Sequence, residues 1–134
     1  MQVLVDHNLV GDSEALFGLL VKDGWVELLD LQFVYFADVE LDVASDDTTI
    51  WRLAQARGML LLTNNRNDDD ETSLTATIRR ENTVDSLPVL TVANPSRLEE
   101  PDYRREVTES LVEVLFYLEN FFGTGRLYLP LQVL

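Results

Sequence analysis

Four short apolar runs constrain this chain more than any other feature: Val3-Leu4-Val5, Phe33-Val34-Tyr35-Phe36, Met59-Leu60-Leu61-Leu62-Thr63 and Pro88-Val89-Leu90-Thr91-Val92. Runs without polar alternation belong to strands covered on both faces, and such strands occur almost only in parallel sheets flanked by helices. The intervening stretches supply those helices. Ala15, Leu16, Leu19 and Leu20 share one helical face, behind a turn and N-cap at Gly11-Asp12-Ser13 and closed near Asp23-Gly24. Ile50, Leu53, Ala54 and Arg57 share another, capped by Ser45 or Asp46 and stopped by Gly58. A third helix is expected over residues 73–80, and a long one over 102–122 with Val107, Leu111, Val114, Leu115, Leu118, Phe121 and Phe122 as its core stripe. Gly123-Thr124-Gly125-Arg126 then reads as a glycine C-cap. Residues 25–31 carry no decisive pattern.

Strand and helix in turn predict βαβ crossovers and a three-layer α/β/α sandwich with a mainly parallel central sheet. The 134 residues suit one domain, residues 1–134, with a long carboxy-terminal helix and an apolar tail. No run approaches the ~20 apolar residues of a membrane span, and no basic-then-apolar signal pattern opens the chain. Cysteine is absent, so nothing speaks for an oxidising compartment, and a cytoplasmic location is expected. A formal charge of −14 repels phosphate backbones, so any polyanion needs bound cations, a local arginine patch or a basic partner. Lys22 is the only lysine; the other positive charges are arginines, whose forks suit carboxylate and phosphate.

Open α/β sheets place ligands outside the carboxyl ends of their strands. Asp6 and Asn8 follow the first run and Asn64-Asn65-Arg66-Asn67-Asp68 the third, so they are expected along one edge. Crossover helices begin at that same edge, which adds Asp38, Glu40, Asp42, Asp46, Asp47 and Asn94 to Arg97. Asp47 stands out: three and four residues before Ile50 and Trp51, it points along a buried helical face, where a carboxylate is costly unless paired or metal-bound. The alternative is a first-turn acid interacting with its own helix dipole. Asp6 alone fits an Asx turn with Asn8. Two converging carboxylates raise each other's pKa or hold a cation, and oxygen ligands favour Mg²⁺ or Mn²⁺ over zinc.

Three segments together resemble the PIN-like nuclease superfamily, in particular its short bacterial branch. They are Val3-Leu4-Val5-Asp6-His7-Asn8-Leu9, Asp47-Thr48-Thr49-Ile50-Trp51-Arg52-Leu53-Ala54 with Gly58 behind it, and Leu61-Leu62-Thr63-Asn64-Asn65-Arg66-Asn67. They cover roughly the first half of the chain in the family's order and spacing. The resemblance implies a PIN-like fold and a Mg²⁺- or Mn²⁺-dependent ribonuclease, often the toxin half of a pair with an antitoxin-like protein. Carried over by position, Asp6 and Asp47 look like metal-binding acids, and Asn65 joins them as a catalytic position. Asn67, Asp68 and Glu40 complete the implied metal set, with Asp42 as the next choice after Glu40. Asn8, Arg66 and Arg97 are the implied RNA-binding residues.

The chain departs from the family where the third segment usually reads Thr-x-Asp-x-Asp-Phe. Here Asn65 and Asn67 stand instead and no aromatic follows. An amide oxygen can ligate Mg²⁺ but brings no charge, which admits the alternative of a degenerate PIN-like module that binds protein. Asp68-Asp69-Asp70-Glu71 reads as the cap of the helix from Ser73, and no EF-hand register is complete. His7, the only histidine, reads as a neutral loop residue or a proton shuttle. Beside the core stripe of the last helix, Val112 and Phe116 form a second apolar line, which with the tail predicts a homo-oligomer or a protein partner.

Overall fold

The computed structural model describes residues 1–66 and 70–132. Five strands form one sheet in the order β2-β1-β3-β4-β5, and every neighbouring pair is parallel. They are β1 (Gln2–Val5), β2 (Gln32–Val34), β3 (Leu60–Thr63), β4 (Val89–Val92) and β5 (Arg126–Leu129). The helices are α1 (Val10–Lys22), α2 (Trp25–Leu29), α3 (Asp47–Ala56), α4 (Leu74–Glu81) and α5 (Pro101–Phe116). Helices cover both faces. Leu16 and Leu20 of α1 and Val107, Leu111 and Leu115 of α5 pack on Val3, Val5, Leu60, Leu62, Leu90 and Val92. On the opposite face Ile50, Trp51 and Ala54 of α3 and Leu74 of α4 pack on Leu4, Leu61 and Val89. The chain is therefore an α/β protein with helices on either side of an all-parallel sheet. Among the described residues no helix is long and apolar enough to cross a membrane.

Several boundaries differ from the sequence expectation, each for a local reason. Gly11-Asp12-Ser13 is not the start of the first helix: a 3₁₀ turn, His7–Leu9, leads straight into α1 at Val10, and Ser13 is buried with its hydroxyl bonded to the Val10 carbonyl. Residues 25–29 form the short helix α2, entered through Gly24 at φ 84°. β2 stops at Val34, because Tyr35 begins a 3₁₀ turn whose Asp38 carboxylate accepts the Tyr35 N–H. α5 ends at Phe116 instead of running to residue 122, and a further 3₁₀ turn, Leu118–Asn120, carries Leu118 and Phe121 back onto the core without helical periodicity.

The tail is the largest correction. Gly123 and Gly125, at φ 81° and 84°, do not cap α5; they turn the chain beside the loop before β4, where a Cβ on Gly123 would lie 3.0 Å from the Val84 backbone. Arg126–Leu129 then pairs along the full length of β4 as β5. The alternation Arg126-Leu127-Tyr128-Leu129 is that of an edge strand with one face on the core.

Candidate active site at the carboxyl edge of the sheet

Residues paired across a parallel sheet share a face, so the register fixes which side chains meet. Leu4 pairs Leu61, Thr63 pairs Thr91, and Thr91 pairs Tyr128. Asp6, one residue beyond β1, follows Leu4 on that face. At the carboxyl edge Asp6, Thr63, Thr91 and Tyr128 thus line up from strand to strand beneath α3 and α4, while the other face stays apolar.

Asp6 is buried, 9% exposed, and both of its carboxylate oxygens are engaged. The Thr63 hydroxyl donates to Oδ2 at 2.6 Å, and the Asn8 N–H reaches Oδ1 at 3.4 Å, which is the expected Asx turn. The Asn65 N–H in turn donates to Thr63 Oγ1 at 2.9 Å. This chain of bonds ties the first strand end to the loop after the third, and a bond from a hydroxyl to a carboxylate typically contributes ~1.5–3 kcal/mol.

Asp47 occupies the first turn of α3 but does not cap it. That role falls to Asp46, whose Oδ1 accepts the Thr49 N–H at 2.8 Å, an interaction that lowers the Asp46 pKa. Asp47 instead accepts the Leu74 N–H at 3.0 Å, at the amino end of α4, and a hydrogen bond from the Asn65 side chain. Burial pushes its carboxyl pKa up, those two hydrogen bonds pull it back, and the negative charges of Asp6 and Asp46 raise it again. Asn65 thus links the two acids where β1, β3, α3 and α4 come together: its side chain donates to Asp47, and its backbone N–H donates to the Thr63 hydroxyl that holds Asp6.

The other expected site residues are distributed around this point. Arg66 lies against the ring of Tyr128, 5.1 Å from its centroid, and donates to the Ala93 carbonyl at 3.3 Å. Arg97 is held by Glu100 at 3.2 Å and stacks on Tyr103. Asn8 and His7 are exposed, and Glu40 and Asp42 lie on the exposed stretch between the 3₁₀ turn after β2 and α3. Among the described residues no three Asp, Glu, His or Cys side chains gather into a metal-holding group, so Glu40 does not join Asp6 and Asp47. Asn67 and Asp68 fall outside the described residues. Ser73, not the acidic run before it, caps α4 by accepting the Ala76 N–H at 3.2 Å, while Asp70 accepts from the Thr72 N–H and hydroxyl.

The sequence reading missed Arg126. From the start of β5 its guanidinium extends along the polar face to the Asn65 carbonyl at 2.6 Å, Thr91 Oγ1 at 2.9 Å and Thr75 Oγ1 at 3.0 Å. Burial lowers its pKa, Tyr128 and then Asp47 counter that shift, and the charge of Arg66 adds to it. The alternation of residues 126–129 was the signal that would have placed it on this face.

On the far side of the molecule an apolar groove runs along α5, walled by Trp25, Val112, Phe116 and Leu131 and bordered by Glu106, Glu109 and Glu113. Phe116 is 53% exposed, whereas Val112 is buried at 9% and forms the groove floor more than a free surface. Comparison with family models, curated proteins and solved structures finds no match to this chain.

Proposed function

We propose that this chain is a PIN-like domain acting as a Mg²⁺- or Mn²⁺-dependent ribonuclease, the toxin-like member of a pair with an antitoxin-like protein. The observation that supports the reading is the convergence of Asp6 and Asp47 at the carboxyl edge, with Asp47 kept short of countercharge by burial. A hard divalent cation fits this donor set, because every candidate ligand is an oxygen and the acids destabilise each other when both are ionised. Asp6 and Asp47 would hold the ion, with the amide oxygen of Asn65 as a neutral third donor. When bound, such an ion supplies a polarised water and positive charge toward a phosphodiester. The chain does the rest of the preparation. Thr63 fixes the orientation of Asp6 through its hydroxyl, and the first N–H of α4 fixes Asp47.

Cleavage tests the reading. Single-stranded RNA should be cut slowly with Mg²⁺ or Mn²⁺ and not in EDTA. Asp6→Asn should reduce the rate by about a hundredfold or more, the loss expected when several kcal/mol of charge stabilisation disappear. Full activity in the Asp6→Asn protein would rule the site out.

A second reading, a PIN-like module that has lost catalysis and binds protein, has two observations on its side. The Asn65 side chain and the Leu74 N–H already donate to the Asp47 carboxylate, which reduces its need for a cation. The α5 groove offers an apolar seat rimmed by Glu106, Glu109 and Glu113, which suits a basic amphipathic segment better than a second copy of this acidic chain. An Asn65→Asp protein that binds metal, beside a parent that neither binds metal nor cuts RNA, would favour this reading.

A further inference from the structure

Arg126 has an uncommon set of partners for a half-buried guanidinium. All three of its hydrogen bonds go to neutral oxygens, those of Asn65, Thr91 and Thr75. Among the described residues the ion pairs engage Arg52, Arg80, Arg97 and Arg105, and none reaches Arg126 or Arg66. Arginine stays charged at any accessible pH, so among the described residues Arg126 is a half-buried cation whose hydrogen-bond partners are all uncharged. Among the described residues of a chain with 24 acids, none forms an ion pair with Arg126.

Around it the structure forms a groove of about 710 Å³, whose lining includes Arg66, Arg97, Arg126, Asn94, Tyr128 and Gln132. Arg66 and Arg126 sit 5.1 Å and 5.9 Å from the centroid of the same ring, Tyr128, which is itself 43% exposed. The planar guanidinium of Arg66 and the phenol ring form a stack open to the groove. Arg97 adds less, because Glu100 takes one edge of its guanidinium, Nε and Nη2, and offsets its charge. Arg126 donates to the Asn65 carbonyl, and the Asn65 side chain donates to Asp47, so the groove adjoins the acids.

We propose that this groove binds the phosphate backbone of a single RNA strand beside the acid pair, with Arg126 and Arg66 holding phosphate and the Arg66–Tyr128 stack receiving a base. The identity of the strand as RNA rests on the ribonuclease reading; the anion site itself rests on the geometry of Arg126, Arg66 and Tyr128. Stacking on an aromatic ring and a pair of arginine forks are the two elements from which non-sequence-specific single-strand sites are made. The local positive patch overcomes the negative field of the rest of the surface only at short range, so binding must fall steeply with salt.

The test is independent of catalysis. Anisotropy of a labelled short single-stranded oligoribonucleotide is followed on the full chain carrying Asp6→Asn and Asp47→Asn, in EDTA, with inorganic phosphate and a nucleoside monophosphate as competitors. Saturable binding is expected, displaced by unlabelled oligonucleotide far better than by either small anion. Arg66→Gln should weaken it roughly tenfold, the worth of a charged hydrogen bond, and reduce the salt slope by about 0.7. Tyr128→Leu should weaken it by a similar factor. Arg126→Lys keeps the charge and gives up the fork; it too should weaken binding, and circular dichroism checks that it folds. Binding that survives all three substitutions overturns the proposal, and so does equal displacement by inorganic phosphate, which would mark a simple anion site. A parent that cuts no RNA while this binding stands would remove the ribonuclease reading and leave the groove intact.

Discussion

The two faces of the sheet are made from the same strands and differ at one place. Toward α1, α2 and α5 the face is apolar to its last residue: Val3, Val5, Leu60, Leu62, Leu90, Val92 and Leu129 are each no more than 1% exposed. Toward α3 and α4 the strands begin in the same way, with Leu4, Leu61 and Val89, and end with Asp6, Thr63, Thr91 and Tyr128. One face holds the molecule together. The other gives up apolar burial at the carboxyl edge, where each polar group must find a partner, and it finds them across elements: Thr63 with Asp6, Leu74 with Asp47, Arg126 with Asn65 and Thr91. Such a row costs more to bury than apolar residues of the same size, and only these cross-element partners offset that cost.

That contrast can be broken most forcefully from the apolar side. Leu90→Ala removes a fully buried side chain from the centre of the face and should cost about 3 kcal/mol in urea unfolding, with the response to metal unchanged. A cost under about 1 kcal/mol would mean that the face relaxes and is not the main support of the fold.

A smaller effect, of opposite sign, is expected on the polar side. In the folded chain burial makes the Asp47 carboxyl hold its proton more tightly than in the unfolded chain, where the ordinary value is 3.8. Ionised Asp47 therefore opposes folding at neutral pH, and the penalty fades as pH falls through the raised folded value and is gone below the ordinary one. In metal-free buffer Asp47→Asn, which can still accept the Leu74 N–H, should unfold at a higher temperature than the parent at neutral pH, and the two should converge in acid. Equal midpoints at neutral pH, or a gap that widens in acid, would contradict the burial of this group.

The smallest effect belongs to the α5 groove. Phe116 is already 53% exposed, so Phe116→Asp should change unfolding free energy by no more than about 0.5 kcal/mol. A loss comparable to that of Leu90→Ala would make the ring part of the core and not a groove wall.

The alternation of the main elements was legible because unbroken apolar runs leave few other folds, and the edge was legible because topology puts strand ends and helix starts together. Asp6 and Asp47 could be named from position alone. The partners could not: that Asp47 receives the first N–H of α4, and not one of its own helix, depends on how α3 and α4 pack. β5 was lost for a different reason. The glycines at 123 and 125 read as the end of a long helix, which hides the alternation behind them and, with it, the place of Arg126. Asn67 and Asp68, two of the expected ligands, lie outside the described residues.

The convergence of Asp6 and Asp47 on a divalent cation is tested most directly by thermal unfolding of the parent and of the Asp6→Asn, Asp47→Asn protein during titration with Mn²⁺. A cation that binds only the native state stabilises it by mass action, about 2.7 kcal/mol at a hundredfold excess over its dissociation constant. The parent midpoint should rise and saturate with Mn²⁺ and return to its starting value with EDTA, while the midpoint of the double variant stays flat from its own starting value. Equal shifts in the two proteins would contradict a metal site at this edge.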